Sequence, residues 1–344
     1  MPVLSIQSLN VSYDTKHVIQ SLDLSIEPGE IVALFGPSGC GKTTVLKSIA
    51  GLIEQATGTI EVAGRRVLGK QENVATELRK VGLIFQDYAL FPHLTVRENI
   101  AFGMTHLSKS EQASKVEQML SLIKLSEYID SYPSQLSGGQ QQRIAIVRAL
   151  ACEPDILLFD EAFSNLDPLF RFELIADIRH LLKEHHISAL FVTHNQDEAF
   201  AFCDRIAVMH QGKIEQIDTA EKLFESPKTP FIAEFLGEGV WLDCKVESAT
   251  QLQSSFGTLN YSGNISLNDK VGQQARVYLR PHQLSLAENA DSSVQVIAER
   301  FVGECYESTI SWQAQTVIVK CEKSMLNKTV NLKVKTDIQS VFFS

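Results

Sequence analysis

Residues 36–44 have the residue types and spacing of a phosphate-binding loop. The glycines allow backbone N–H groups to turn towards phosphate oxygens, Lys42 supplies a positive charge for the β and γ phosphates, and the Thr43 hydroxyl is a suitable Mg²⁺ ligand. An apolar run over residues 31–35 precedes the loop, and a helical pattern over residues 45–50 follows it. Strand, loop and helix in this order predict a nucleoside triphosphate site more strongly than an ordinary glycine-rich turn.

Two further strand patterns end in residues that suit nucleotide chemistry. The apolar run 156–159 ends in Asp160 and Glu161, and the run 189–193 ends in His194. Because the carboxyl ends of parallel strands meet at one edge of a sheet, we expect these side chains to lie at the same edge. Carboxylates there would serve Mg²⁺-nucleotide chemistry, whereas the structural alternative is a pair of solvated carboxylates.

A second surface for an anion is predicted where a helix begins at residues 136–143, which read Leu-Ser-Gly-Gly-Gln-Gln-Gln-Arg. Small residues at a helix start leave its free N–H groups accessible. The helix dipole then favours an anion by about 0.3 to 1 kcal/mol.

Composition limits the classes of function that remain. The 344 residues, 44% of them hydrophobic, suffice for two domains with well-filled cores. With 41 acidic and 31 basic residues, the net charge of −10 does not favour nucleic acid or anionic membranes as partners. The six scattered cysteines lack C-x-x-C spacing and are expected to be free thiols, and no signal peptide or membrane-spanning run is apparent.

The periodicity of the chain predicts an α/β region followed by a β-rich region. Alternating runs at 3–13 and 17–26 indicate an antiparallel strand pair, and the pattern between about 88 and 153 is helical. From about residue 240 onward, short strand-like runs alternate with turn residues, which predicts a small β-barrel.

The phosphate loop, the 136–143 stretch and the Asp160–Glu161 pair occur with Gln86 and His194 in the order and spacing of one known family. Over its whole length, the chain resembles the ATPase subunit of ABC (ATP-binding cassette) transporters. The resemblance implies an α/β, P-loop NTPase fold: an ABC ATPase domain with a mixed sheet over residues 1–237, containing a helical subdomain at about 88–153. It further implies a C-terminal TOBE-type regulatory domain over residues 238–344, built as a small OB-like β-barrel.

The same resemblance assigns roles in ATP hydrolysis. Glu161 would polarise the attacking water, a contribution of about 10²- to 10⁴-fold, and His194 would hydrogen-bond the γ-phosphate. Gln86 would link the water and Mg²⁺ to the helical subdomain. The Mg²⁺ ligands implied are Thr43, Gln86 and Asp160.

Nucleotide contacts follow from the resemblance as well. Tyr13 would stack on adenine, although a strand-end tyrosine that covers the sheet is an alternative. Asp167 would cross the contact between subunits, although its suitability as a helix N-cap would explain it equally. The other expected nucleotide contacts are Gly36, Pro37, Ser38, Gly39, Cys40, Gly41, Lys42, Thr43, Thr44, Ser137, Gly138, Gly139 and Gln140.

The family works as a dimer in which two chains face head to tail, so each ATP would lie between Lys42 of one copy and Ser137 of the other. The partners implied are a second copy, an integral membrane permease and, indirectly, a periplasmic solute-binding protein. This places the chain peripherally at the cytoplasmic face of the inner membrane, with ATP and Mg²⁺ as its cofactors and no nucleic acid partner.

The resemblance is greatest to ATPases of ferric-iron importers, and it rests on residues 35–44, 235–240, 279–284 and 341–343. Import of a polyamine, a sugar, sulfate or thiosulfate remains an alternative, because the ATPase motifs are shared. A soluble ABC protein acting on nucleic acid is a remote alternative, disfavoured by the single cassette and the acidic charge.

The chain departs from the family pattern at three positions. Ala162 replaces a proline, Asn195 an aspartate and His282 a glutamate. None of these changes removes a catalytic group. Whether the C-terminal domain senses a ligand or supports dimerisation stays open.

Overall fold

The structure is a computed structural model that describes residues 1–164, 166–263, 265–289, 294–312 and 315–343, with only the backbone described at residues 168 and 169. The chain forms two compact units, Met1–Ala220 and Glu221–Ser344. The division after residue 220 assigns two short helices to the second unit that the sequence analysis places before its boundary at 238. That functional boundary remains a prediction.

The first unit alternates strands and helices. Its elements are β1 (Leu4–Tyr13), β2 (Lys16–Ile26), β3 (Ile31–Phe35), α1 (Lys42–Ala50), β4 (Ala56–Val62), β5 (Arg65–Leu68), β6 (Val81–Ile84), α2 (Val96–Ala101), α3 (Lys109–Leu122), α4 (Gly138–Ala151), β7 (Ile156–Asp160), α5 (Pro168–Glu184), β8 (Ala189–Thr193), α6 (Gln196–Phe202), β9 (Arg205–His210) and β10 (Lys213–Asp218).

A six-stranded sheet of order β10-β9-β3-β8-β7-β6 positions the site. Its strands are parallel except for the antiparallel β9–β10 pair. Strands β3 and β8 are buried at every position, as expected for a parallel sheet covered on both faces. The pairs Phe35–Thr193 and Asp160–Val192 align the carboxyl ends of β3, β7 and β8. The loops that follow these strands therefore meet at one edge.

A second sheet of order β2-β1-β4-β5 is antiparallel throughout. Its first two strands match the pair predicted from alternation. Together with the six-stranded sheet it gives the mixed α/β architecture expected from the sequence.

The helices α2, α3 and α4 lie between β6 and β7, where the sequence predicts a helical region. Helix α3 begins with a capping box, in which Ser108 accepts from the N–H of Glu111 and the Glu111 carboxylate accepts from the N–H of Ser108. Val116, Met119 and Leu120 lie on one face of this helix and are buried. Helix α2 begins with a second capping box, of Thr95 and Glu98, that the periodicity did not reveal.

The second unit contains two short helices followed by strands. They are α7 (Ala220–Glu225), which starts on the last residue of the first unit, α8 (Pro230–Phe235), β11 (Val240–Ser248), β12 (Gln251–Ser254), β13 (Gly257–Asn260), β14 (Gln274–Leu279), β15 (Leu284–Glu288), β16 (Val296–Phe301), β17 (Tyr306–Trp312), β18 (Gln315–Cys321) and β19 (Val330–Val334).

These strands form antiparallel sheets of order β13-β12-β11-β14, β15-β19 and β16-β17-β18 around a shared apolar core. The prediction of a C-terminal all-β region is confirmed. Its assignment as a TOBE-type domain remains a prediction. All six cysteines of the chain are free thiols, as expected.

Candidate nucleotide-binding site

The loop between β3 and α1 has the backbone that a phosphate cradle needs. Gly39 and Gly41 adopt φ values of 79° and 107°, in the left-handed region that glycine occupies without strain. A Cβ atom at Gly36 would lie 2.3 Å from the carbonyl oxygen of Met209, and one at Gly41 would lie 2.5 Å from Cδ1 of Ile19. Position 36 therefore has no room for a side chain beside the Met209 backbone, and position 41 favours glycine because of its φ of 107°.

Lys42, the first residue of α1, folds its side chain back over the loop. Its Nζ atom donates to the carbonyl oxygens of Gly36 at 2.8 Å and Pro37 at 3.1 Å, and the residue is only 6% exposed. The ammonium group is thus fixed at the helix N-terminus, where the helix dipole also favours an anion. Backbone N–H groups and one buried cation at the same point suit phosphate oxygens.

The hydroxyl of Thr43 and the carboxylate of Asp160 connect α1 to the end of β7. Thr43 Oγ1 donates to Asp160 Oδ1 at 3.3 Å. Burial raises the pKa of Asp160, the bond from Thr43 opposes that rise, and the adjacent Glu161 charge adds to it. A hydroxyl and a carboxylate oxygen side by side, beside the phosphate loop, are hard oxygen ligands of the kind Mg²⁺ prefers, so the residues present fit this ion.

Glu161 and His194 lie together at the same edge of the sheet. Nδ1 of His194 is 3.1 Å from Oε1 of Glu161, and the Glu161 N–H donates to the carbonyl oxygen of Val192 at 3.0 Å. Glu161 adopts a φ of 49°, which is uncommon for a residue with a side chain and is frequent at functional sites. The carboxylate and the imidazole are both accessible to solvent, so a substrate can reach them.

Gln86 and Tyr13 lie further out. Gln86 is exposed in the turn that follows β6, and Tyr13 is the last residue of β1 and is 42% exposed. A tyrosine ring in this position is available for stacking. Gln86 lies just after the carboxyl end of β6, the strand that pairs with β7.

Two residues that the sequence analysis did not identify hold the segment between Gln86 and α2. The Arg148 guanidinium donates to the carbonyl oxygens of Ala89 at 2.6 Å and Tyr88 at 3.1 Å. The buried Asn99 accepts from the N–H of Phe91 and donates to the carbonyls of Phe91, Leu94 and Thr95. In each case the sequence signal is a polar residue at a core position of a helical pattern. Both Arg148 and Asn99 fix the backbone of a neighbouring loop.

Ser137 is the N-cap of α4 and forms a capping box with Gln140, in which the Ser137 N–H donates to the Gln140 side chain at 2.8 Å. Residues 137–140, together with Asp167 and Phe170, line an open depression of about 630 Å³. The Asp167 carbonyl accepts from the N–H groups of Phe170 and Arg171, as expected at a helix start. No residue of the phosphate loop is among the described residues that line this depression. The structure therefore brings the predicted residues together in two places, the phosphate-loop edge and the Ser137 depression.

A phosphate loop between a buried parallel strand and a helix, with carboxylates at the end of a neighbouring strand, defines the class of P-loop nucleoside triphosphatases. The comparisons with known proteins narrow this class. A family model described as "ABC transporter" matches residues 19–164.

Several curated relatives span nearly the whole chain. An Fe(3+) ions import ATP-binding protein of Photorhabdus laumondii is 37% identical over 332 residues, covering 95% of this chain and 92% of the relative. A sulfate/thiosulfate import ATP-binding protein of Neisseria meningitidis serogroup B is 42% identical over 83% of this chain and 79% of its own. A spermidine/putrescine import ATP-binding protein of Hahella chejuensis is 36% identical, covering 93% and 90%.

Among solved structures, cbiO1 from Clostridium perfringens, part of the ABC transporter complex cbiONQ, matches with a TM-score of 0.59 at 27% identity. The match covers 64% of this chain and 90% of that structure. The chain therefore belongs to the ABC transporter family and is an ATP-binding subunit of an importer. Within the described residues, no helix has the length and apolar character needed to cross a membrane.

Proposed function

We propose that this protein is the ATP-hydrolysing subunit of a binding-protein-dependent importer, and that it drives a solute, ferric iron, through a separate membrane permease. The observation that carries the proposal is the convergence of the phosphate loop, Asp160 and the Glu161–His194 pair on one edge of the sheet. Phosphoryl transfer needs mainly positioning and charge stabilisation, and this edge offers a cation, oxygen ligands and a carboxylate.

In this proposal, the Glu161 carboxylate accepts a proton from the water that attacks the γ-phosphate, and His194 contacts that phosphate. Thr43, Asp160 and Gln86 hold Mg²⁺, which supplies charge stabilisation for the transferred phosphoryl group. The 3.1 Å contact between Glu161 and His194 keeps both groups near one point. The ring of Tyr13 stacks on adenine.

We propose further that the ATP-bound state is a homodimer. The Ser137 depression presents helix-start N–H groups, which suit phosphate, yet no phosphate-loop residue is among the described residues that line it. A second copy facing head to tail would bring its own phosphate loop to this surface. ATP would then close the dimer, and hydrolysis would open it.

Sedimentation velocity of the Glu161→Gln variant tests the dimer, because this variant should bind ATP without consuming it. We expect ATP to convert monomer to dimer, and we expect the additional change Ser137→Arg to prevent that conversion. The control is Ser134→Arg, an exposed position shortly before the depression. A dimer that forms with ATP despite Ser137→Arg would contradict the proposed arrangement.

The permease is proposed to contact the turn after β6 and the helices that follow it. Phe85 and Phe102 are exposed there, and the Phe102 ring packs on Phe91 with centroids 4.3 Å apart. Exposed aromatic side chains are frequent in protein interfaces. Docking there would hold the chain at the cytoplasmic face of the inner membrane, with a periplasmic solute-binding protein acting on the far side.

Ferric iron is proposed as the solute from the resemblance at residues 235–240, 279–284 and 341–343 and from the Fe(3+) import relatives. The sulfate/thiosulfate and spermidine/putrescine relatives are similar to a comparable degree, so these solutes are the rivals to be tested. Residues 238–344 are proposed to form a TOBE-type regulatory domain. The acidic net charge of −10 gives no support for a nucleic acid partner.

The solute is tested by deleting this chain and measuring uptake of radiolabelled Fe³⁺, sulfate, thiosulfate, spermidine and putrescine, in cells that lack other importers for each. We expect only Fe³⁺ uptake to fall, and wild-type protein to restore it. Loss of sulfate or polyamine uptake instead would replace iron by that solute. Unchanged uptake of all five would contradict this set of solutes.

A further inference from the structure

A closed ring of hydrogen bonds and one ion pair joins Glu161 and His194 through residues with no assigned role. The first part of this ring lies on either side of His194. Thr193 Oγ1 donates to Glu198 Oε2 at 2.8 Å and accepts from the N–H of Asn195 at 3.0 Å. Since residues 193 and 195 are both held, the backbone at His194 has little freedom to move independently of Glu198.

Glu198 lies in α6 and is 2% exposed. Its other carboxylate oxygen makes the second link of the ring, to Arg171. Oε1 of Glu198 is 3.3 Å from Nη1 of Arg171, whose side chain is also largely buried at the start of α5. A buried ion pair is poor evidence for stability, because desolvation offsets much of its attraction. The pair does fix the positions of the two side chains relative to each other, since separating two buried charges costs a large amount of free energy.

The third step leads from Arg171 back to Glu161. Nη2 of Arg171 donates to the carbonyl oxygens of Leu166 at 3.0 Å and Ser164 at 3.4 Å. Ser164 in turn donates to the Glu161 carbonyl oxygen, from Oγ at 2.8 Å and from N–H at 3.1 Å. The contact between Glu161 and His194 closes the ring.

The ring also reaches the Ser137 depression. Arg171 holds the turn before α5, and Leu166 and Asp167 of that turn line the depression together with residues 137–140. The Arg171 guanidinium is therefore linked through Glu198 to the residues that flank His194. The same group directly contacts the backbone of the second proposed nucleotide surface.

We infer that Glu198 and Arg171 are positioning residues that couple the position of His194 to the position of the turn at Leu166 and Asp167. This inference rests on the proposed function. Neither residue belongs to the proposed set of nucleotide contacts. When the γ-phosphate engages His194, a shift of the Thr193–Asn195 backbone moves Glu198, and Arg171 carries that shift to the surface that a second copy covers. Hydrolysis in one site and closure at the other would thereby be linked.

The test is Arg171→Met, which removes the guanidinium and keeps most of the apolar stem. Because a misplacement of about 1 Å can cost about 10²-fold in rate, we expect kcat to fall by about 10- to 100-fold. ATP affinity should stay within about 3-fold, and the Hill coefficient for ATP should fall towards 1. Arg171→Lys, which retains the charge, should recover part of the rate.

Arg179→Met is the matched control. Arg179 lies in the same helix and also forms an ion pair between elements, with Asp204 at 2.7 Å, but it takes no part in the ring. We expect it to lower thermal stability while leaving kcat and the Hill coefficient within about 2-fold of wild type. A positioning role for Arg171 is contradicted if both methionine variants lose stability and Arg171→Met retains wild-type kcat and cooperativity.

Glu198→Gln provides a second route, since it keeps the shape and an acceptor for Thr193 but removes the charge that faces Arg171. In a double-mutant cycle with Arg171→Met, the effects on kcat should be strongly non-additive. Additive effects would overturn the coupling. If wild-type protein neither binds nor hydrolyses ATP, the proposed function fails; if it does both and only the coupling is absent, the ring inference alone fails.

Discussion

The imidazole of His194 and the carboxylate of Glu161 are in hydrogen-bond contact, with Nδ1 and Oε1 3.1 Å apart, at the carboxyl ends of adjacent strands β8 and β7. The contact exists because parallel pairing aligns Asp160 with Val192 and because Glu161 turns back with a φ of 49° to bond the Val192 carbonyl. The proposed base and the proposed phosphate-contacting group are thus positioned by backbone geometry at the ends of paired strands.

Replacing Glu161 by glutamine should nearly stop turnover. The amide keeps the shape and cannot accept the proton of the attacking water, so kcat should fall by about 10²- to 10⁴-fold while ATP still binds. Phosphate release and equilibrium binding of a fluorescent ATP analogue measure the two properties. Glu184→Gln, at the exposed end of α5, is the control. Wild-type turnover by Glu161→Gln would refute the assigned base.

Replacing Lys42 by alanine should weaken ATP binding itself. The ammonium is buried beside Gly36 and Pro37, and a charge-assisted hydrogen bond contributes about 1.5 to 3 kcal/mol, which corresponds to about 10- to 150-fold in Kd. Lys47→Ala, an exposed change in the last turn of the same helix, should leave Kd nearly unchanged. Equal effects of the two substitutions would show that helix content, not the Lys42 charge, governs binding.

Replacing Asp160 by asparagine should raise the Mg²⁺ concentration that gives half-maximal ATP hydrolysis by about 10- to 100-fold. The amide retains one oxygen but loses the charge that sits beside the Thr43 hydroxyl. The measurement is the rate of hydrolysis against Mg²⁺ at fixed ATP, with Asp155→Asn, just before β7, as the control. A Mg²⁺ dependence identical to wild type would remove Asp160 from the proposed ligand set.

Replacing Arg79 by methionine should destabilise the first unit by about 2 to 4 kcal/mol. The guanidinium is 2% exposed and donates to the carbonyls of Ser48 and Ile49 at the end of α1 and to the carbonyl of Val74. Its loss removes these three hydrogen bonds from the buried end of α1 and from Val74, while the Ser48 carbonyl keeps only the N–H of Gly51 as a donor at 3.3 Å. Urea unfolding measures the change.

The control for this prediction is Arg65→Met. Arg65 is exposed, and its side chain donates to the carbonyl of Leu78 at 3.1 Å. We expect a change within about 0.5 kcal/mol. A loss of similar size for both substitutions would mean that the capping of α1 by Arg79 contributes nothing specific.

The sequence was most informative where function depends on local order. The strand, loop and helix over residues 31–50 follow from an apolar run, spaced glycines and a helical pattern, and all three are present. The common edge of β3, β7 and β8 follows from parallel pairing. The strand, loop and helix depend on neighbours in the chain, which periodicity and turn residues report, whereas the common edge also requires the pairing of strands that are far apart in the sequence.

Side-chain contacts between distant segments were not predictable from such patterns. Arg171 and Glu198 belong to different helices, and nothing in either helix shows that their charges meet. Arg79 is unpredictable for the same reason, since it bonds the backbone at the end of α1, far away in the sequence. In the second unit, β12 and β13 are short strands joined by a tight turn before Gly257, and their alternation is too brief to distinguish from a loop.

The most direct test of the account is ATP-dependent uptake by membrane vesicles that contain the permease and either wild-type chain or Glu161→Gln. Both proteins should be present at equal amounts and should bind ATP equally. We expect radiolabelled Fe³⁺ to accumulate only with wild type, in proportion to the phosphate released. Accumulation with the glutamine variant at the wild-type rate would contradict the claim that hydrolysis at Glu161 powers import.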